Sequence, residues 1–141
     1  MSDAKRLVLD ANILLRAVSG QGTRDMLGTY GDYVNFYSPD VCFDDARRYI
    51  PIIAARRKLN PAAGFLALEE LARVVEKIDF SSYEEYEAEA RRRISRDVSD
   101  WPIVATALLL NCPVWTEDRD FFGSGLATWT TNNVEIYLKA S

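Results

Sequence analysis

Residues 99–121, SDWPIVATALLLNCPVWTEDRDF, decide the fold class of this chain. Apolar side chains cover residues 101–110 on nearly all sides of a helix, which is typical of a buried helix. Ser99 or Asp100 is positioned to cap its start, and Asn111 can supply the left-handed residue that ends it. Residues 114–116 then predict a short strand. A buried helix that leads into a strand indicates a layered α/β protein.

The rest of the chain alternates between strands and helices in the same way. The run RLVL at residues 6–9 predicts a buried strand that ends at Asp10, and YVNFYS at residues 33–38 predicts a second strand before Pro39. A last strand is expected at residues 127–130. No hairpin signal such as Asn-Gly separates neighbouring strands. We therefore expect a single domain, residues 1–141, with three layers (α/β/α) around a central, mainly parallel sheet.

The predicted helices lie between these strands. Pro51 either kinks its helix or opens a second one at the first helical position. Asn60 is expected to cap the next helix, whose apolar residues recur at helical spacing. Ser82 and Glu85 match a capping box, which predicts the start of a charged helix. Helices are expected at residues 12–17, 40–59, 61–78, 82–94 and 133–139.

The composition excludes several kinds of chemistry. The 141 residues carry a net charge of −4 and include no histidine, which excludes Ser-His-Asp and Cys-His catalysis and nearly every zinc site. Cys42 and Cys112 are too few for a thiolate metal site and suit a reducing cytosol, so a cytoplasmic protein is expected. No apolar run approaches the length of a membrane span, and Asp10 interrupts the apolar stretch that a signal peptide would need. Any hydrolysis must therefore rely on carboxylates, with hard metal ions.

Several carboxylates follow the predicted strands. Ligand sites in open parallel sheets form beyond the carboxyl ends of the strands. The acids expected near that edge are Asp10, Asp44, Asp45, Asp100, Asp118 and Asp120. Asp100 can also be a helix cap, Asp44 and Asp45 can favour a helix dipole, and Asp118 and Asp120 can be turn residues. Asp10 is harder to explain in that way, because a lone carboxylate at the end of an apolar strand is desolvated.

If these acids converge, they need a counter-charge. Two carboxylates about 4 Å apart repel by roughly 4 kcal/mol at an effective dielectric constant of 20. Four of them would outweigh much of a domain's net stability of ~5–15 kcal/mol. A divalent cation relieves this repulsion, and Mg²⁺ or Mn²⁺ fits an oxygen-only set of ligands.

The order of these motifs resembles the PIN-domain nucleases, which include the VapC-type toxin ribonucleases of prokaryotic toxin–antitoxin pairs. The resemblance covers nearly the whole chain. It rests on LVLDANILL (7–15), SPDVCFDDARRY (38–49), the stretch 99–121 and ATWTT (127–131). It implies a metal-dependent endoribonuclease that hydrolyses RNA phosphodiester bonds with one or two Mg²⁺ or Mn²⁺ ions. It also implies a possible small antitoxin partner and a possible homodimer, while the lack of a long apolar run leads us to expect no association with a membrane.

The same resemblance assigns roles to individual residues. It gives Asp10, Asp45, Asp100 and Asp118 as catalytic acids, and Asp10, Asp100, Asp118 and Asp120 as metal ligands. The second acid is usually Glu in such proteins, and the register from Pro39 favours Asp45, with Asp44 as the alternative. Asn12 and Thr116 match supporting positions.

Two arginines are candidates for contact with RNA. Arg47 and Arg48 neighbour the proposed acids, and guanidinium groups bind phosphate through paired hydrogen bonds. The chain's three tryptophans are expected in the core instead, because their neighbours are apolar.

Two other functions remain open at this point. One is a Mg-dependent phosphohydrolase of small phosphate esters, although such enzymes usually carry Asp-x-Asp where this chain has Asp10-Ala11-Asn12. The other is a catalytically degenerate PIN-like module that binds a protein.

Overall fold

Five short parallel strands form the centre of the molecule. The computed structural model describes residues 4–140. The strands are β1 (Lys5–Leu9), β2 (Val34–Pro39), β3 (Val75–Ile78), β4 (Val114–Trp115) and β5 (Thr128–Trp129). Their order is β3-β2-β1-β4-β5, and every neighbouring pair is parallel. With the helices that flank this sheet, the predicted three-layer α/β/α fold is confirmed.

The central strand is β1, and it is covered on both faces. Leu7, Val8 and Leu9 are completely buried. A parallel sheet with helices on both faces buries consecutive residues rather than alternate ones. This explains why the strand is recognisable in the sequence as an unbroken apolar run.

Eight α-helices surround the sheet within residues 4–140. They are α1 (Ala11–Ser19), α2 (Gln21–Tyr30), α3 (Asp40–Arg56), α4 (Pro61–Leu71), α5 (Phe80–Tyr83), α6 (Glu87–Arg93), α7 (Trp101–Leu110) and α8 (Val134–Lys139). Single 3₁₀ turns lie at Glu84–Tyr86, Val98–Asp100 and Arg119–Phe121. In this part of the chain, no helix has the length and apolar character needed to cross a bilayer.

Helix α7 matches its prediction closely. All residues from Trp101 to Ala107 are buried, and Asn111 ends the helix in the left-handed conformation, with φ 51° and ψ 58°. Trp101 and Trp115 lie in the core, and Trp129 packs against it. The prediction that the tryptophans belong to the core is therefore confirmed.

The predicted helix at residues 61–78 was wrong in its second half. Helix α4 starts behind the Asn60 cap, as expected, but it ends at Leu71, and residues 75–78 form the edge strand β3. Val75 and Ile78 are its buried residues, and a spacing of three also fits a helix face. The backbone pairing of β3 with β2, which is non-local, overrides the local pattern.

Two other helix predictions also need correction. Residues 82–94 do not form one helix, because Ser82 lies inside α5 and a 3₁₀ turn separates α5 from α6. The capping box is therefore not formed. Residues 21–30 were not predicted to be helical because of their glycines, yet they form α2, which begins at the extended residue Gly20.

Helix α3 is continuous from residue 40 to residue 56. Pro51 lies inside it and does not open a second helix. Pro51 is exposed, so the carbonyl group that loses its backbone partner can bond to water.

Candidate functional site

Asp10 lies at the carboxyl end of β1, buried except for 4% of its surface. One carboxylate oxygen, Oδ1, accepts a hydrogen bond from the backbone N–H of Ile13 at 3.0 Å, so Asp10 caps α1. The other oxygen, Oδ2, accepts a hydrogen bond from the Thr116 hydroxyl group. Burial raises the pKa of Asp10 to about 6, and the charge of Asp118 adds to this effect while the hydrogen bonds oppose it. The carboxylate is thus held in place but is not neutralised.

Thr116 lies just beyond β4 and is completely buried. The end of β4 is fixed on both sides: the N–H of Asp10 donates to the carbonyl of Trp115 at 3.3 Å, and the N–H of Thr116 donates to Trp129 at 2.9 Å. The Thr116 hydroxyl also accepts a hydrogen bond from the N–H of Asp118 at 2.9 Å. The sheet therefore sets the position of Asp118 relative to Asp10.

Asp100 approaches this edge from the start of α7. It occupies the N-cap position, but its side chain makes no capping hydrogen bond, so the interpretation of its side chain as a helix cap was wrong. Burial raises the pKa of Asp100 to about 7, and the negative charges of Asp97, Asp118 and Asp10 raise it further. A cation bound beside this carboxylate would offset the repulsion from its three acidic neighbours.

Asp97 is an acid that the sequence analysis missed. The carboxylates of Asp97, Asp100 and Asp118 each offer an oxygen atom within 4.8 Å of the others. Asp97 accepts hydrogen bonds from the backbone and hydroxyl of Ser99, which lower its pKa. Residues three apart lie above one another along a 3₁₀ turn, so the Asp-x-x-Asp spacing before α7 was the signal that could have identified it.

Four predicted acids line one pocket of about 170 Å³. They are Asp10, Asp45, Asp100 and Asp118. Asn12 also lines it, and its side chain is exposed. The rest of the lining consists of Ala11, Leu15, Val41, Cys42, Tyr49, Ser99, Pro102 and Ile103. The structure therefore brings together acids from the four separate segments of chain that the sequence pointed to.

The structure separates the two candidates for the second acid. Asp45 lines the pocket and is paired with Arg48. Asp44 is outside the pocket lining, with 66% of its side chain exposed, and its Oδ1 lies 3.6 Å from Nη1 of Arg47. The helical phase of α3 thus places Asp45, and not Asp44, beside the other acids. Both arginines that were predicted to contact RNA are engaged in these ion pairs.

Asp120 differs from the other predicted metal ligands. Its backbone N–H donates to Oδ1 of Asp118 at 2.9 Å. Its carboxylate belongs neither to the pocket lining nor to the group of three close acids. The backbone N–H of Asp120 therefore helps to form the turn at Asp118.

The donor set fits a divalent metal ion. Every candidate ligand is a carboxylate oxygen, which is the donor that Mg²⁺ and Mn²⁺ prefer. The raised pKa values of Asp10 and Asp100 indicate that the side chains of residues 4–140 do not neutralise these acids. A bound cation would supply the missing charge.

The chain is similar to known proteins both in its sequence pattern and in its fold. A family model described as "PIN domain" matches residues 8–139. Among solved structures, VapBC2 from Rickettsia felis, bound to a DNA fragment from its promoter, is 15% identical with a TM-score of 0.69, over 89% of this chain and 98% of that chain. PAE2754 from Pyrobaculum aerophilum is 14% identical with a TM-score of 0.73, over 98% and 92%. A toxin–antitoxin complex from Klebsiella pneumoniae is 19% identical with a TM-score of 0.59, over 83% and 91%. No curated protein sequence matches this chain.

Proposed function

The chain belongs to the PIN domain family, and we propose that it is a metal-dependent endoribonuclease that hydrolyses phosphodiester bonds of RNA. The observation that carries this proposal is the pocket lined by Asp10, Asp45, Asp100 and Asp118. The chain has no histidine. Burial raises the pKa of the Cys42 thiol beside the pocket far above its usual range, so this thiol stays protonated and is a poor nucleophile. The four carboxyl groups are therefore the acidic side chains that the pocket offers for hydrolysis.

The acids divide into two roles in this proposal. Asp97, Asp100 and Asp118 would hold the ion, because each offers an oxygen atom within 4.8 Å of the other two. Asp10 and Asp45 line the same pocket from the side of β1 and α3, and they would bind the second ion if the reaction uses two. Bound Mg²⁺ or Mn²⁺ supplies a polarised phosphoryl oxygen and a water molecule of lowered pKa. Thr116 and the Ile13 N–H keep the carboxylate of Asp10 fixed while substrate enters.

RNA phosphates also need contacts outside the acidic pocket. The net charge of −4 gives no general attraction to RNA, so local basic groups must provide it. Arg48 is the first candidate, because it is paired with Asp45 at the pocket wall. Arg47 is its neighbour on α3. A phosphate can replace the carboxylate partner of either guanidinium group.

The biological context is a further part of the proposal. Two of the similar structures are described as VapBC2 and as a toxin–antitoxin complex. We infer that this chain is the toxin of such a pair, acts in the cytoplasm, forms a homodimer and is restrained by a small antitoxin. A gene for a small DNA-binding protein next to its own gene would support this role, and pull-down of that protein would test it.

The experiment is a cleavage assay on an end-labelled single-stranded RNA. We expect no cleavage in EDTA, cleavage after addition of Mn²⁺, and none by the Asp100→Asn variant under either condition. Cleavage that resists EDTA would contradict the proposal. Hydrolysis of p-nitrophenyl phosphate with intact RNA would favour the phosphohydrolase, and Mn²⁺ binding without either activity would favour a protein-binding module.

A further inference from the structure

The wall of the acidic pocket has an apolar part that the proposed chemistry does not use. Val41, Asp45 and Tyr49 follow one another at intervals of four residues along α3, and all three line the pocket. Residues four apart share one face of a helix. A single stripe of α3 therefore presents a carboxylate with an aromatic ring one turn further along.

Tyr49 is unusually open for an aromatic residue beside a site. Its relative exposure is 48%, and its hydroxyl makes no hydrogen bond to another residue between 4 and 140. Tyr83 and Trp101 are different, because they are buried and pack edge to face with a ring separation of 5.7 Å. The ring of Tyr49 is thus not required to fill the core.

The acidic pocket is open to solvent on the side of its exposed lining residues. It has a volume of about 170 Å³, and Asn12 and Tyr49 are exposed members of its lining. A nucleotide whose phosphate lies beside the acids can therefore place its base against the exposed ring of Tyr49.

We propose that Tyr49 is a stacking platform for an unpaired base next to the phosphate that is cleaved. This inference rests on the proposed ribonuclease function, and it requires that the base beside Tyr49 is unpaired. Aromatic side chains bind successive bases of single strands through stacking, which is worth ~1–3 kcal/mol per base and tolerates different sequences. Leu15 and Val41 extend the apolar surface on which the base and its ribose can rest.

The main test compares three variants in Mn²⁺ with a short single-stranded RNA. We expect Tyr49→Ala to raise KM roughly ten-fold with little change in kcat, because stacking binds substrate before the chemical step. Tyr49→Phe should keep the wild-type KM, since the ring and not the hydroxyl is required. Tyr33→Ala is the matched control: Tyr33 is 72% exposed, and it lies just before β2, at the opposite edge of the sheet from the acids.

A binding measurement separates stacking from catalysis. The RNA carries a single 2-aminopurine, moved one position at a time, and is titrated with protein in Ca²⁺ in place of Mn²⁺. We expect the fluorescence of one position to be quenched by wild-type protein and by Tyr49→Phe but not by Tyr49→Ala. The same RNA annealed to its complement should show no dependence on Tyr49, because its bases already stack within the duplex.

The outcomes distinguish this inference from the proposed function. If wild-type protein cleaves RNA and Tyr49→Ala has an unchanged KM and unchanged fluorescence, the stacking role is wrong while the nuclease stands. If the wild-type protein cleaves no RNA but quenches 2-aminopurine, and Tyr49→Ala does not quench it, the stacking role stands and the nuclease does not. Thermal unfolding of each variant verifies that it is folded.

Discussion

The hydroxyl group of Thr116 donates a hydrogen bond to the carboxylate of Asp10, from which it is separated by 106 positions in the chain. The hydroxyl oxygen of Thr116 also accepts a hydrogen bond from the backbone N–H of Asp118. Both Asp10 and Thr116 are buried. One hydroxyl group therefore joins the ends of two neighbouring strands and sets the spacing between two acids of the pocket.

Replacing Thr116 by valine removes both of these hydrogen bonds. The N–H of Asp118 loses its partner, so we expect the free energy of unfolding to fall by about 1–3 kcal/mol, and RNA cleavage to decrease. Thr106→Val is the matched control, since Thr106 is equally buried but donates only to Pro102 within α7, at 2.7 Å. Denaturant unfolding and a cleavage assay check both variants. Equal losses in the two would mean that the contact with Asp10 has no special role.

The Asp10→Asn variant separates catalysis from stability. Asparagine keeps an oxygen that can accept from Ile13 and loses a charge that burial disfavours. We expect RNA cleavage to be abolished and the metal-free protein to be at least as stable as the wild type at pH 8. The measurements are cleavage in Mn²⁺ and thermal unfolding in EDTA. If the variant is strongly destabilised while its soluble fraction keeps full specific activity, Asp10 has a structural role and not a catalytic one.

The metal-free protein should lose stability as the pH rises. The pKa values of Asp10 and Asp100 are raised to about 6 and about 7 in the folded protein, while both are near 3.9 in an unfolded chain. The folded state therefore binds more protons between these values, and stability falls as the pH rises through them. From pH 5 to pH 8 we expect Asp10 alone to contribute a loss of about 1 kcal/mol. Denaturant unfolding in EDTA at both pH values measures it, and a rise in stability would contradict the burial of these acids.

The two adjacent acids of α3 provide a matched pair. We expect Asp45→Asn to reduce cleavage by ten-fold or more, since Asp45 lines the pocket and its charge would help hold an ion. Asp44→Asn should leave cleavage within about two-fold of the wild type because its side chain points into solvent beside Arg47. Initial rates at saturating Mn²⁺ decide the matter. The opposite ranking would make Asp44 the second acid.

Mn²⁺ should stabilise the folded protein through the close group of three acids. A ligand at 100 times its Kd adds about 2.7 kcal/mol to the free energy of unfolding, which raises the Tm. We expect Asp97→Asn to weaken Mn²⁺ binding about ten-fold or more and so to reduce this rise in Tm. Asp32→Asn serves as the control, because Asp32 is exposed just before β2, away from the acids. A Tm that does not respond to Mn²⁺ in the wild type would remove the basis for a metal site.

The sequence predicted an element correctly where its local pattern fits only one kind of secondary structure. Helix α7 is apolar on all sides and ends at a residue that tolerates positive φ, so both its burial and its end were predictable. Strand β3 was not, because its two buried residues, Val75 and Ile78, suit a helix equally well. Only the pairing with β2, whose residues are about 40 positions earlier in the chain, makes it a strand.

The candidate site shows the same division. Because parallel strands end at a common edge, acids after β1 and β4 could be expected to meet. Asp97 was missed because it lies in the loop before α7, outside the predicted elements, and reaches the group through a 3₁₀ turn. The choice between Asp44 and Asp45 depends on the rotation of α3 about its axis, which the register from Pro39 favours but which only packing determines.

The sheet order also governs when the pocket can exist during synthesis. Strand β1 emerges from the ribosome early, yet one of its two sheet neighbours is β4, more than one hundred residues later. A half-made chain has the carboxylates of Asp10 and Asp45 but lacks Asp100, Asp118 and the hydroxyl group that orients Asp10. These groups can therefore come together only after the fourth strand has been made and has paired with β1.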